Sequence, residues 1–280
     1  MVKKKLSKKE KAINKKARHL SIKEGLFASA RMSFGDYYIS PFAIAINSSN
    51  SVVALFGAAT GILGPLSQAF GARLLEKYSR KKIILKSVFL ESLVWLPMIA
   101  LAFLFSKGIL IEALPLLTLL TFSLFTILMN IGYPAWFSWM GDIVESEHRG
   151  TFFSKRNLLT GFVAAILAIA ASFFLDYMQK INLVMIGFIV LFSLAFIARI
   201  LSWRTLKKQH EPKIKINKVD YFSFWEFVIK APKSNFGRYS IFRALLGFAI
   251  AISSPLVVVY LLRNLNFNYV EYMIIVFSGT

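Results

Sequence analysis

The chain has 280 residues, 56% of them hydrophobic and 15% aromatic, with a formal net charge of +20. Soluble domains average about 45–50% apolar, and a water-soluble chain with this excess would expose large apolar patches, so an integral membrane protein is expected. The lack of cysteine excludes disulfides and thiolate chemistry; His19, His148 and His210 lie far apart in polar segments, against a zinc site or other cofactor; and the cations gather in loops, which favours membrane topology over nucleic acid as the cause of the charge.

Residues 1–24 carry ten Lys/Arg against Glu10 and Glu24. They read as a basic cytoplasmic tail, weakly amphipathic, attracted to anionic lipid headgroups at about 1 kcal/mol per cation. The apolar run that follows is too long for a cleavable signal and is interrupted by Arg31 and Asp36. Helix 1 is predicted over 25–46 and helix 2 over 51–74, joined by an uncharged outer turn. Helix 2 contains Gly57 and Gly61, a spacing that lets another backbone approach closely.

A charge-dense hinge, 72–82, then separates two long apolar runs. Five of its eleven residues are Lys or Arg, which places the turn on the cytoplasmic side. Helix 3 is predicted over 83–105, helix 4 over 113–136, helix 5 over 158–175 and helix 6 over 183–203. The stretch from Tyr133 to Trp139 reads as an interfacial aromatic belt. A long polar linker, 204–236, contains an amphipathic segment at 222–229 that is expected to lie on the membrane surface. Helix 7 is predicted over 239–262, and helix 8 starts near Tyr269. Four units follow: a tail (1–24), a six-helix transmembrane domain (25–203), a cytoplasmic linker (204–236) and the start of a second transmembrane domain (237–280).

Charge tests this topology independently of hydrophobicity. The inner segments hold twenty-nine of the 34 Lys/Arg, the outer turns only Lys107, Lys180 and Arg263, and Arg31 and Arg243 lie within helices. That asymmetry is the positive-inside pattern.

Six helices, a basic linker and further helices form the layout of the major facilitator superfamily, and the hinge resembles its signature between helices 2 and 3, Gly-x3-Asp-Arg/Lys-x-Gly-Arg-Lys/Arg. Aligned on charge, Glu76 takes the acidic position, Lys77 the basic one, and Arg80 and Lys81 the closing pair. Ala72 stands where the first glycine is expected, with Gly71 one residue early, and Ser79 replaces the second. Asp142, Arg149 and Gly150 resemble an echo of the hinge between helices 4 and 5, as internal three-helix repeats would produce. Residues 135–157 look like the Trp-rich loop of a prokaryotic branch. The resemblance implies an all-α membrane fold, a six-helix N-terminal bundle plus the start of a second, and a secondary transporter for a small solute that works by alternating access. It implies that the hinge charges latch the inner gate, with Glu76 and Arg80 also spaced for a local i,i+4 pair; the alternative is that the cations only anchor topology. Helix 4 lacks the buried arginine of many proton-coupled members and helix 5 the Gly-Pro signature of antiporters, which argues against the commonest drug/proton antiporters.

Charges inside the membrane cost about 2.5–3.5 kcal/mol each at a helix centre and tend to mark pathways. Asp36 falls about 16 Å along helix 1 at 1.5 Å per residue, near mid-membrane, and is a candidate proton or substrate site. Arg31 is five residues earlier, about 140° round an α-helix, so separate partners on other helices are expected for the two. Glu91 is expected to be structural or at the lipid edge. Arg243, in helix 7, either snorkels or faces the pathway; Tyr37, Tyr38, Asn130 and Tyr133 are candidate lining or ordinary packing residues.

No nucleophile–base set can be assembled, so an enzyme is not expected. The partners expected are a small-molecule substrate, protons as a coupling ion, and anionic lipids at the basic loops. The alternative to a transporter is a scaffold or receptor-like protein of the same fold, or an inactive fragment, because the resemblance implies about twelve helices and the chain ends inside the eighth.

Overall fold

A computed structural model describes residues 8–212 and 229–278, with the side chains of 8–11 and 251–253 left aside. The helices are α1 (Lys8–Arg31), α2 (Tyr37–Ala45), α3 (Asn50–Leu74), α4 (Arg80–Leu93), α5 (Trp95–Ser106), α6 (Leu114–Ile143), α7 (Arg149–Lys180), α8 (Val184–Lys208), α9 (Asn235–Val259) and α10 (Tyr269–Ser278). A π turn (Met32–Asp36) joins α1 to α2 in one continuous rod. The amphipathic segment expected at 222–229 lies outside the described residues except for Ile229, which is exposed.

Among the described residues, six helical stretches are long and apolar enough to cross a membrane: Asn50–Leu74, Arg80–Ser106, Leu114–Ile143, Ser146–Lys180, Val184–Lys208 and Asn235–Asn264. Leu66, Leu158, Phe162 and Phe173 lie exposed on their flanks, as lipid-facing residues must. The protein is an all-α, multi-pass membrane protein.

Its helices run past the limits that hydropathy marks. The first begins at Lys8 rather than near residue 25. Asn14, Ala17, Ser21 and Glu24 are buried along one face of it, at alternating spacings of three and four residues that hold a single stripe against the bundle. The stripe is small and polar, so hydrophobicity does not report it. Likewise α6 continues to Ile143 and α7 starts at Arg149. Intrahelical hydrogen bonds do not stop at the lipid boundary; only the apolar side chains do.

The core divides into two clusters. One joins Tyr38, Phe42, Trp95, Phe125, Phe188 and Phe192, with Phe42 edge-on to both Phe188 and Phe192 at 5.3 Å. The other joins Ile84, Trp139, Met140, Ile143 and Leu206 near the Lys/Arg-rich end. Trp139 is thus not part of an interfacial belt: it is fully buried and its indole N–H donates to the His210 carbonyl at 2.9 Å.

Two glycines set close approaches between helices of the bundle. A Cβ on Gly35 would fall 2.2 Å from the Trp95 ring, and one on Gly71 would fall 2.2 Å from the Ile131 carbonyl oxygen. The contact of α3 with α6 therefore passes through Gly71; of the two glycines expected to permit a close approach, Gly57 is buried and Gly61 is exposed.

Candidate functional site

Between the two clusters runs a ladder of buried ions. At its basic end, Arg156 of α7 pairs with Glu24 of α1 at 3.2 Å. Glu24 also accepts from the Ser202 hydroxyl at 3.0 Å and lies 3.9 Å from Arg199 of α8. Arg199 donates to Glu91 of α4. Glu91 lies 3.6 Å from Arg31 of α1, and Arg31 grips both oxygens of Asp36, at 2.6 and 2.5 Å.

Three arginines and three carboxylates thus alternate across four helices with no net charge. Glu91 is wholly inaccessible, and Arg31 and Arg199 nearly so. Ions removed from water are tolerated when each has a close partner and more hydrogen bonds. Glu24 and Asp36 are twelve residues apart on one rod, so the ladder climbs about 18 Å.

The direct Arg31–Asp36 pair corrects the expectation of separate partners. An α-helix would hold residues five apart on different faces. The π turn between them has i→i+5 hydrogen bonding, which brings the fifth residue back over the first. Sequence alone gives no warning of that turn. Of the two expectations for Glu91, the lipid edge is corrected and the structural role fits: α4 turns it inward to two arginines and away from lipid. Glu24, Arg156 and Arg199 count by sequence as tail and loop charges. What would have marked Glu24 is the polar stripe of α1.

A cavity of about 530 Å³ opens beside the ladder, within the common range for small-molecule sites. Its lining includes Glu24, Arg31, Arg156, Arg199, Tyr133 and Trp136. Arg156 lies over the Trp136 ring at 4.8 Å, which fixes the guanidinium plane against the wall. A Cβ on Gly25 would fall 2.8 Å from Arg156, so glycine there gives the arginine room.

A family model for the Major Facilitator Superfamily matches residues 25–280. The chain belongs to that superfamily. No curated protein and no solved structure matches it. As a superfamily member it is a membrane transporter, and its partners are small-molecule substrates.

The superfamily hinge adopts a particular wiring here. Arg80 is almost completely buried and pairs not with Glu76 but with Asp142 of α6, at 2.6 Å. It also lies 3.6 Å from Glu211 and donates to the carbonyls of Ser138 at 2.8 Å and Pro212 at 3.0 Å. Lys81 donates to the Gln209 carbonyl at 2.8 Å. Glu76 and Lys77 are exposed on the turn, because α4 starts at Arg80 and points that side chain back into the bundle. Arg149 caps the end of α6 through the carbonyls of Gly141 and Val144. Ser79 accounts for the missing second glycine: its backbone is extended at φ −65°, and its hydroxyl accepts from Lys82 N as the N-cap of α4.

The remaining candidates are dispersed. Asn130 is buried, donating to the Thr126 carbonyl at 2.8 Å and accepting from Gln68 at 2.8 Å. Tyr37 meets Phe277 edge-on at 5.3 Å. The Tyr38 hydroxyl donates to the Ala168 carbonyl at 2.6 Å. Tyr133 lines the cavity. Arg243 is exposed on α9 and joins neither ladder nor cavity.

Proposed function

We propose that this transporter carries a small solute by alternating access, with the Lys/Arg-rich end in the cytoplasm and the cavity beside the ladder as its solute site. The observation that carries the reading is the cavity's position. It lies at the basic end, against the ion ladder, while the opposite end is clasped shut. There Asp176 of α7 accepts from the backbone N–H groups of Tyr269 and Val270 at 2.8 and 3.1 Å. Arg263 donates to Asn50 and to the Ser48 carbonyl. Both clasps join the six-helix bundle to the helices that follow it.

In this reading Asp36 is the proton site. A proton on Asp36 removes the charge that holds Arg31 across the π turn, leaving Glu91 as the partner of that arginine. Solute entering beside Arg31 and a proton arriving at Asp36 then act on one side chain, which is a physical basis for coupling them. The hinge, with Arg80 seated between Asp142 and Glu211, serves as the latch at the cytoplasmic end.

The cysteine-free chain lends itself to a direct test. Thr160 lines the cavity. Thr160→Cys, reconstituted in vesicles, should react with a membrane-impermeant thiol reagent from the basic face and not from the other. Equal labelling from both faces, or labelling only from the opposite face, would overturn the orientation of the site. Asp36→Asn should abolish proton-coupled solute flux; unchanged flux and pH dependence would remove Asp36 from the mechanism.

A further inference from the structure

A second cavity, about 250 Å³, lies on the flank of the bundle where α3, α4 and α6 meet at the basic end. Its lining includes Tyr78, Lys82, Lys86, Leu90, Leu128 and Ile131. We propose that this groove binds one anionic phospholipid, its headgroup on Lys82 and Lys86 and an acyl chain along Leu90, Leu128 and Ile131.

The order of residues along the membrane normal carries the argument. The run from Arg80 to Ser106 crosses the bilayer as one span. At 1.5 Å per residue, Lys86 lies about 30 Å from Ser106, the thickness of the hydrocarbon layer at about 30 Å. Lys82 is one turn further out, in the headgroup layer. Leu90 is one turn deeper, about 24 Å from Ser106, and faces the chain region together with Leu128 and Ile131. Cations above and aliphatic walls below reproduce the sequence of a phospholipid, head then tail.

Charge balance agrees. Lys82 and Lys86 are four residues apart on one face of α4, and both are exposed. Neither forms an ion pair among the described residues; Lys82 rests over the Tyr78 ring at 4.9 Å, which holds its ammonium at the mouth. Glu76, the carboxylate of the same turn, is exposed and pairs with neither lysine. The neighbouring Arg80 and Lys81 are already committed to Asp142, Glu211 and Gln209. A headgroup phosphate supplies the missing anion. The groove holds the headgroup and the start of a chain, whose remainder stays in the bilayer.

Native mass spectrometry of the purified chain in detergent tests this. Phosphatidylglycerol and phosphatidylcholine with identical acyl chains are offered in turn, with inorganic phosphate as a competitor. Phosphatidylglycerol should be retained in preference to phosphatidylcholine and resist inorganic phosphate. Lys82→Gln and Lys86→Gln should each weaken its retention about five-fold, and Lys15→Gln with Lys16→Gln, exposed on α1, should not. Both groove substitutions are at exposed positions, and an unchanged helical circular dichroism spectrum verifies the fold. Equal retention of the two lipids, or unchanged retention in the Lys82→Gln/Lys86→Gln variant, would overturn the proposal. Displacement by inorganic phosphate would reassign the lysines to a soluble anion.

Discussion

The two ends of this bundle are held together by different chemistry. At the basic end, side-chain ions hold helix to helix: buried Arg80 to half-exposed Asp142, and the buried ladder from Arg156 to Asp36. At the opposite end, side chains hold backbone groups: Asp176 caps the start of α10, and Arg263 takes the Ser48 carbonyl. The turns there use left-handed asparagines, Asn47, Asn182 and Asn266, at φ 54–59°. Buried ions are expensive to strand, so the first kind of contact is close to all-or-none. Half-exposed caps can exchange with water, so the second kind opens at low cost. In the alternating-access mechanism proposed above, these two kinds of contact are two unlike locks.

The largest expected effect is at the ladder's centre. Glu91→Ala removes the carboxylate shared by Arg31 and Arg199 and leaves them only Asp36 and the more distant Glu24, and removing one partner of a buried pair costs about 3–5 kcal/mol. Thermal unfolding in detergent measures it. Glu91→Leu combined with Arg199→Met should recover part of the loss, because replacing a whole buried pair by apolar residues is far less costly than stranding one charge. A Glu91→Ala variant as stable as the parent would show that the ladder holds nothing.

Next comes Gly71→Ala. The new methyl would meet a backbone oxygen of Ile131, which cannot rotate away, so α3 and α6 must separate at about 1–3 kcal/mol. Gly61→Ala, on an exposed face of the same helix, should be neutral or stabilising. Comparable losses at both positions would refute the assignment of the close approach.

At the far end the expected changes are smaller. Asp176→Ala removes two of the acceptors at the start of α10 and leaves the cap by Asn268, at a cost of about 1 kcal/mol. The sharper readout is distance. Spin labels on Lys180→Cys and Leu265→Cys should report one short separation in the parent chain. In Asp176→Ala a longer population should appear, and its absence would show that this clasp does not hold the end closed. The smallest effect is expected for the glycine substitution at Asn182. Asn182→Gly should change stability by only a few tenths of a kcal/mol, whereas Asn182→Val, β-branched at φ 59°, should lose about 1–2 kcal/mol.

Much of the fold is legible in the chain because lipid imposes two independent patterns. Apolar runs of spanning length mark α3 to α9, and the cations gather at one end of them. The site is legible only in part. Arg31 and Asp36 stand out as charges in an apolar run, and Arg80 and Asp142 as members of a motif. Their pairing does not follow. Glu76 is the nearest acid to Arg80 in sequence and plays no part in holding it, because the turn throws it outward while α4 carries Arg80 toward α6. Glu24, Arg156 and Arg199 are hidden among twenty-nine loop cations and their neighbours, since composition does not distinguish a charge in solvent from one on the inner stripe of a long helix.

Sequence by itself determined that this is a helical membrane protein, where its spans lie and which of their ends are alike, since burial of apolar side chains in lipid and exclusion of charge act residue by residue. Tertiary structure decided which ions meet. A π turn places Asp36 on Arg31, and helix packing turns Glu91 inward. A helix longer than its apolar part delivers Glu24 to Arg156 and Arg199. Each of these depends on backbone phase and on neighbours remote in sequence, and a local pattern of residue types contains neither.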